Sequence, residues 1–348
     1  MTAVRLGGRL IGPGEPCYLI AEAGVNHNGD IELAKQLVVE AKRAGADCVK
    51  FQTFRAARLV TAVAPKASYQ LRTTDPAESQ IDMLRRLELE PHQFAELKAL
   101  ATAEGIAFLS TPYSTEDVDT LASIEAEAYK IPSALLVEPH LLRHVARQGR
   151  PMFLSTGMAT LDEVDEAVSV VRESGAPFVL LQCTTDYPSL VGDANLRAMK
   201  VLEQRYNVPV GYSDHTQSPS AILAAVALGA AVIEKHFTLD RTMSGPDHSS
   251  SADPRQLAEI VSAIREVEAA LGNGEKGPTD RERANLTGMR RSLVARRAIA
   301  AGEMITEDAI TCKRPATGIA PRRMADVLGR IAKIPIEFDQ LLDWSMFD

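Results

Sequence analysis

Two histidines, His215 just after one apolar run that reads as a strand and His236 at the end of another, each have a carboxylate close by in the chain (Asp214, Glu234). Two imidazoles with open positions and nearby carboxylates suit a divalent metal acting as a Lewis acid. They equally suit an acid–base pair without metal, and ligands so far apart in sequence leave both readings open. Lys50 and Lys130 lie in two further runs, and Ser133, Ser155 and Ser213 stand at comparable places. Ammonium groups supply attraction and hydroxyls supply direction, so this set suits a phosphate.

Other runs end in Glu22, in Gln52, in Ser110 and Thr111, in Thr184, Thr185, Asp186 and Tyr187, and in Glu234; a later loop carries Asp247 and His248. A single Ser or Thr at a strand end is ordinarily a satisfied turn or cap group. Eight runs that all end in polar residues point instead to one shared site.

The elements that must position these residues follow from alternation. The β-like runs are Cys17–Glu22, Cys48–Gln52, Ala107–Thr111, Ala128–Pro132, Met152–Thr156, Phe178–Cys183, Val208–Ser213 and Val232–His236. Helical patterns separate them. Asp30 caps one whose apolar face is Ala34, Leu37, Val38 and Ala41, and Gly45 stops it. Thr160 and Glu163 form a capping box, and Pro254 opens a further helix. Eight strand–helix units predict a (β/α)8 TIM barrel, whose active site lies at the strand C-termini. No Gly-rich dinucleotide fingerprint or P-loop follows the first strand. The stretch from Arg55 to Leu89 is too long for a simple connection and should hold its own helix, Glu78–Leu87, over the barrel mouth.

The pattern changes after Leu271. We expect a catalytic barrel over 1–272, a linker over 273–289 and a small, mainly β domain over 290–348. The net charge of −8 lacks the basic surplus of a nucleic-acid binder. No signal peptide opens the chain and no stretch approaches eighteen apolar residues, so no membrane association is expected. Four widely spaced cysteines without a CxxC pair read as reduced thiols in a cytoplasmic protein.

Several segments closely resemble the sialic acid synthase family. They are Ile20-Ala-Glu-Ala-Gly-Val-Asn-His-Asn-Gly29, Val49-Lys-Phe-Gln-Thr53, Leu109-Ser-Thr-Pro112, Tyr129-Lys-Ile-Pro-Ser133 and Leu154-Ser-Thr-Gly-Met158. Gly211-Tyr-Ser-Asp-His-Thr216, Glu234-Lys-His-Phe-Thr238 and Gly245-Pro-Asp-His248 continue the match. The tail resembles the family's antifreeze-like SAF domain, a β-clip, at Lys313-Arg-Pro315 and Gly318-Ile319.

The resemblance implies condensation of phosphoenolpyruvate with an N-acylmannosamine-type sugar aldehyde, releasing phosphate and giving a 2-keto-3-deoxy sugar acid. It implies a divalent metal, Mn2+ or Mg2+, on His215 and His236. Phosphoenolpyruvate would meet Lys50, Lys130, Ser133, Ser155 and Ser213. Gln52, Tyr187 and Asp247 would hold the acceptor, with Thr111 and Thr185 among the substrate contacts and Glu22 and Glu234 in the catalytic group. Arg314 would reach into the other subunit's barrel in a homodimer.

Two departures stand out. Leu135 occupies a place where the family carries an acid thought to handle protons; Glu22, Asp214 or Glu234 are the candidates to replace it. Thr185 stands where sialic acid synthases proper carry Asn, which brings Thr185-Asp-Tyr-Pro188 nearer to legionaminic-type relatives. Two other readings remain: a metal-dependent keto-acid aldolase on the same barrel, and a catalytically weakened sugar-binding barrel.

Overall fold

The computed structural model describes residues 3–348, which form two compact units, the first ending at Gly272 and the second spanning Asn273–Asp348. The first opens with an antiparallel hairpin, β1 (Val4–Leu6) and β2 (Arg9–Ile11). Eight parallel strands follow: β3 (Tyr18–Gly24), β4 (Cys48–Thr53), β5 (Ala107–Pro112), β6 (Tyr129–Ile131), β7 (Met152–Ser155), β8 (Phe178–Cys183), β9 (Val210–Asp214) and β10 (Val232–His236). Their order is β5-β4-β3-β10-β9-β8-β7-β6, a nearly closed barrel whose end strands β5 and β6 lie side by side without a ladder. Each expected run contains or overlaps one strand.

The connections are α1 (Ile31–Arg43), then α2 (Ala56–Leu59), α3 (Ser68–Thr73), α4 (Gln80–Arg85) and α5 (Pro91–Glu104). After these come α6 (Thr115–Ser123), α7 (Pro139–Ala146), α8 (Leu161–Glu173), α9 (Ala198–Tyr206), α10 (Ser220–Ala227) and α11 (Pro254–Leu271). Asp30 caps α1 and Thr160 with Glu163 boxes α8, because each side-chain oxygen accepts an otherwise unpaired first-turn N–H. The insert after β4 differs from the expected single helix: it holds three short ones, α2, α3 and α4. Arg55 clamps its base, 2.8 Å from Glu88 and 2.6 Å from Glu90.

Side chains alternate across a strand, so each barrel strand has an inner and an outer row. The inner row is apolar at the N-terminal end: Ile20, Cys48, Leu109, Ala128, Phe153, Val179, Leu181 and Val232 form one buried cluster with Val4, Leu6 and Ile11 of the hairpin. Two residues further along the same rows come Glu22, Lys50, Thr111, Lys130, Ser155 and Glu234. The barrel is therefore an apolar plug with a polar lid of its own strand ends. The outer row, including Val49, Phe51, Leu154, Leu180, Tyr212 and Ile233, packs in the main core with α1, α5 and the other helices.

The second unit holds α12 (Asp280–Met289), β11 (Ser292–Ala295), β12 (Ile310–Lys313) and α13 (Met324–Val327) around a separate core that includes Leu293, Ile299, Ile310 and Phe347. Residues 273–289, read from composition as a linker, thus contain a capped helix, with Thr279 and Glu282 forming its box.

The plug sets a tight limit on β9. A Cβ at Gly211 would lie 2.4 Å from the Val232 carbonyl oxygen and 2.8 Å from Leu181 Cδ2. Gly211→Ala should therefore destabilise the barrel by about 1–3 kcal/mol through overpacking. A thermal melt equal to that of the unaltered protein would show that β8 and β10 are not this close.

Candidate active site

The polar strand ends converge on one cavity of about 280 Å³. Glu22, Lys50, Gln52, Thr111, Lys130, Ser133, Ser155, Thr185, Tyr187, Ser213, His215, Glu234, His236 and Asp247 all line it. Thus every barrel residue assigned a substrate, metal or catalytic role by the resemblance shares one space, while Asp214, a candidate for the missing acid, does not line it. Arg314 lies in the C-terminal unit, exposed just beyond β12.

Four buried charges make the floor. Lys50 Nζ stands 2.8 Å from Glu22 Oε2 and 3.8 Å from Glu234 Oε2. Lys130 Nζ stands 3.2 Å from Glu234 Oε1, to which Ser213 Oγ also donates at 2.8 Å. Lys50 donates to Thr111 Oγ1 at 3.2 Å, and Gln52 Nε2 donates to Glu22 Oε1 at 3.0 Å. Burial opposes charge on Glu234, but Lys130 and Lys50 outweigh it and bring the carboxyl down to about 2. Glu22 goes the other way: burial, with the Glu234 charge adding, raises it against the pull of Lys50. Burial would lower Lys50, yet the two glutamates hold it above the ordinary lysine range. Burial does lower Lys130.

Around this floor, Ser155 Oγ and Thr185 Oγ1 are buried without hydrogen-bond partners. Gly157 N–H donates to Ser133 Oγ at 3.0 Å, and a Cβ at Gly157 would meet Thr185 Oγ1 at 2.3 Å. That explains the glycine of the Ser-Thr-Gly turn. Unpaired buried hydroxyls are costly unless a ligand completes them.

The histidines form the adjoining wall, with ring centroids 5.3 Å apart and the Tyr187 ring centroid 4.3 Å from that of His215, tilted by 46°. His215 Nδ1 lies 2.7 Å from the Thr184 carbonyl, so Nδ1 carries the proton and Nε2 keeps its lone pair. His236 Nδ1 is buried and unpartnered, and burial, with His215 adding, holds the ring well below the usual histidine range and hence neutral. Burial would lower His215 too, but its contacts with Cys183 and the Thr184 carbonyl raise it instead. Available nitrogen lone pairs are what a metal requires. Among the described residues no group of three or more His, Cys, Asp or Glu side chains is arranged to hold a metal by itself.

The remaining strand-end residues are structural. His248 links Thr238 Oγ1 (2.7 Å) to Asn28 Oδ1 (3.2 Å), and Asn26 Nδ2 donates to the Phe237 carbonyl. Ser110 pairs with Thr53. Asp214 projects to the outer row, where Lys235 Nζ lies at 2.7 Å and Thr216 Oγ1 at 2.9 Å. It is thereby removed as a replacement for the family's missing acid. Leu135 is buried in the hydrophobic core, and its neighbour Ala134 lines the cavity. Tyr69, Tyr113 and Cys183 were not singled out from the sequence. Tyr113 OH donates to Gln52 Oε1 at 3.2 Å, and Tyr69 packs 4.9 Å from Tyr187. Tyr113 directly follows a strand-end Thr-Pro and could have been found by that place; Tyr69 lies in the insert, where no periodic pattern marks it.

Fold and site together define a barrel enzyme that works on an anionic substrate at its strand C-termini. The family description "NeuB family" matches residues 37–276 and "SAF domain" matches residues 290–348. An N,N'-diacetyllegionaminic acid synthase from Campylobacter jejuni is 46% identical over 93% of this chain and 98% of that protein. The N-acetylneuraminate-9-phosphate synthase of Mus musculus is 35% identical over 95% of this chain and 93% of that protein. The crystal structure of an N-acetylneuraminic acid synthetase from Leptospira borgpetersenii superposes with a TM-score of 0.72 at 34% identity, covering 82% of this chain and 95% of that one. The chain belongs to the NeuB family.

Asp247 generates a test of the electrostatics. Burial, with Glu22 adding, pushes its carboxyl up to about 7, and Oδ1 has no partner. A carboxyl raised on folding binds its proton more tightly in the native state, so it favours the fold at low pH. That contribution is lost as pH rises from the unfolded value of 3.8 through 7. In metal-free protein, Asp247→Asn should therefore gain thermal stability over the unaltered chain at pH 8 and little at pH 4. An equal shift at both pH values would contradict the buried, unpartnered carboxyl.

Proposed function

We propose that this chain is a nonulosonic acid synthase. It condenses phosphoenolpyruvate with an N-acylmannosamine-type sugar aldehyde to a 2-keto-3-deoxy sugar acid and inorganic phosphate. The observation that carries this reading is the floor: two buried lysines and two orphaned hydroxyls face one cavity beside two imidazoles. The legionaminic acid synthase of C. jejuni, at 46% identity, supports a similar acceptor class.

C3 of phosphoenolpyruvate bonds to the aldehyde carbon, whose oxygen becomes a hydroxyl. Water adds at C2, the C2–O bond to phosphorus-bound oxygen breaks, and phosphate leaves. One water proton ends on the new hydroxyl and the other departs with phosphate. Lys50 and Lys130 bind the phosphoryl group, and Ser133, Ser155 and Ser213 orient it. Gln52, Tyr187, Thr185 and Asp247 position the acceptor, Thr111 steadies Lys50, and Glu234 holds both lysines in place. With Leu135 in the core and Asp214 committed to Lys235, Glu22 and Asp247 are the cavity carboxyls that burial raises, Asp247 to about 7. His215 and His236 would hold a divalent metal, Mn2+ or Mg2+, with further positions for water and substrate. When bound, the ion supplies Lewis-acid polarisation of the aldehyde oxygen.

The protein acts in the cytoplasm, as a homodimer in which Arg314 reaches the partner's acceptor. The free state of all four cysteines supports a reducing compartment. Among the described residues no helix is long and apolar enough to cross a membrane.

Phosphate release measured across mannose-type acceptors should depend on the acceptor, stop with a chelator and return with Mn2+. Arg314→Ala should raise acceptor KM by roughly 10-fold or more, as loss of a charged contact does. Phosphate release that ignores the acceptor, or an absence of release from every sugar tried, would end the synthase reading and leave a binding barrel.

A further inference from the structure

The outer row of the barrel packs against helices, and along the eight strands only two of its residues carry a charge: Asp214 at the end of β9 and Lys235 on β10. They face each other at the last rung of the ladder that joins these strands. Lys235 Nζ lies 2.7 Å from Asp214 Oδ2 and also donates to the Thr216 carbonyl. Asp214 Oδ1 accepts from the Thr216 N–H at 3.2 Å, with Thr216 Oγ1 2.9 Å away. All three residues are buried. His215 thus stands between two residues that this lysine holds, and His236 directly follows the lysine.

A buried ion pair gains little or nothing in stability over apolar side chains of similar size. Tyr212 and Ile233, in the same row of the same strands, pack in the apolar core. The pair occurs between the two histidine strands and nowhere else in the row, so its role lies with the histidines. Their other bonds tie them to different neighbours. The His215 carbonyl accepts from the Ser189 N–H at 2.9 Å, and its Nδ1 meets the Thr184 carbonyl, both in the loop after β8. His236 pairs with Glu22 of β3, and its carbonyl accepts from the Ala252 N–H at 2.8 Å. The β9–β10 ladder stops one residue short of both histidines. At that last rung, the ion pair couples the setting of one ring to that of the other.

We infer that Asp214 and Lys235 are positioning residues: their outer-row ion pair fixes the separation of His215 and His236 from behind, and so sets the affinity of the two rings for a divalent cation. Two ligands that reach one ion from separate strands bind it well only when they are held in place beforehand. This rests on the metal half of the synthase reading above.

The probe is Mn2+ alone, titrated into the full-length protein and followed by the electron paramagnetic resonance signal of the free ion. The double variant Asp214→Asn/Lys235→Met leaves no unpaired buried charge and keeps an oxygen for the Thr216 turn. It should melt close to the unaltered protein, yet bind Mn2+ roughly 10–100-fold more weakly. Lys235→Arg keeps the pair, and a cavity of about 290 Å³ lined by Lys235, Ile222 and Ile260 has room for the longer side chain. Its Mn2+ Kd should stay within about 3-fold of the original. Glu234 and Ser213 sit one rung inside the ladder. Calorimetry of phosphoenolpyruvate into the metal-free double variant should therefore also stay within about 3-fold. If the double variant fails to fold, Asp214→Asn alone is read in the same way. An unchanged Mn2+ Kd in a folded variant overturns the inference and leaves the synthase reading standing. So does a loss that Lys235→Arg shares, or an equal loss of phosphoenolpyruvate affinity. No Mn2+ binding by the unaltered protein sinks the inference together with the metal half of that reading.

Discussion

Four buried charges, Glu22, Lys50, Lys130 and Glu234, set the terms for the rest of the site. Ionised groups taken from water are tolerable only when paired and hydrogen-bonded, and a deep pair contributes little or nothing to stability relative to apolar packing. Their presence at the top of an apolar plug is thus a functional cost. The lysines each face a glutamate, yet neither pair is isolated: Glu234 is shared between both lysines and Ser213. A shared counter-charge neutralises the floor while leaving ammonium protons that a phosphate oxygen can take. The unpaired Ser155 and Thr185 hydroxyls lie around the same space.

The barrel makes this arrangement possible because strand parity sorts the chain. Lys50 and Gln52 share the inner row of β4, as Glu234 and His236 share that of β10. One residue away, Lys235 and Asp214 occupy the outer row and satisfy each other there. A single register shift would exchange the two sets, so the apolar plug beneath and the helices outside fix the chemistry as well as the fold.

Much of this was legible in the sequence. Continuous apolar runs ending in polar residues located all eight strands, and the motif segments marked the inner-row residues. Asp214 shows where reading stopped. A carboxylate beside His215 looks catalytic until parity turns it outward. Leu135 shows the same limit in reverse, since the missing acid was visible but the burial of its replacement in the core was not. The insert was the least legible part. Its helices α2, α3 and α4 have four to six residues each, too short for a periodic signal, and their meaning lies in which side chains face the cavity. The capped helix Asp280–Met289 was hidden for a related reason: it has no buried residue to mark a face.

The central claim is that the lysine floor exists to bind the phosphoryl group of phosphoenolpyruvate. Calorimetric titration of phosphoenolpyruvate into the unaltered protein and into Lys130→Met measures this without any acceptor present. Lys130 is the floor lysine whose charged form burial disfavours most plainly, so its ammonium has most to gain from an incoming anion. The account predicts a Kd at least ~10-fold weaker for Lys130→Met in a variant that melts cooperatively. An unchanged Kd in such a variant would contradict it.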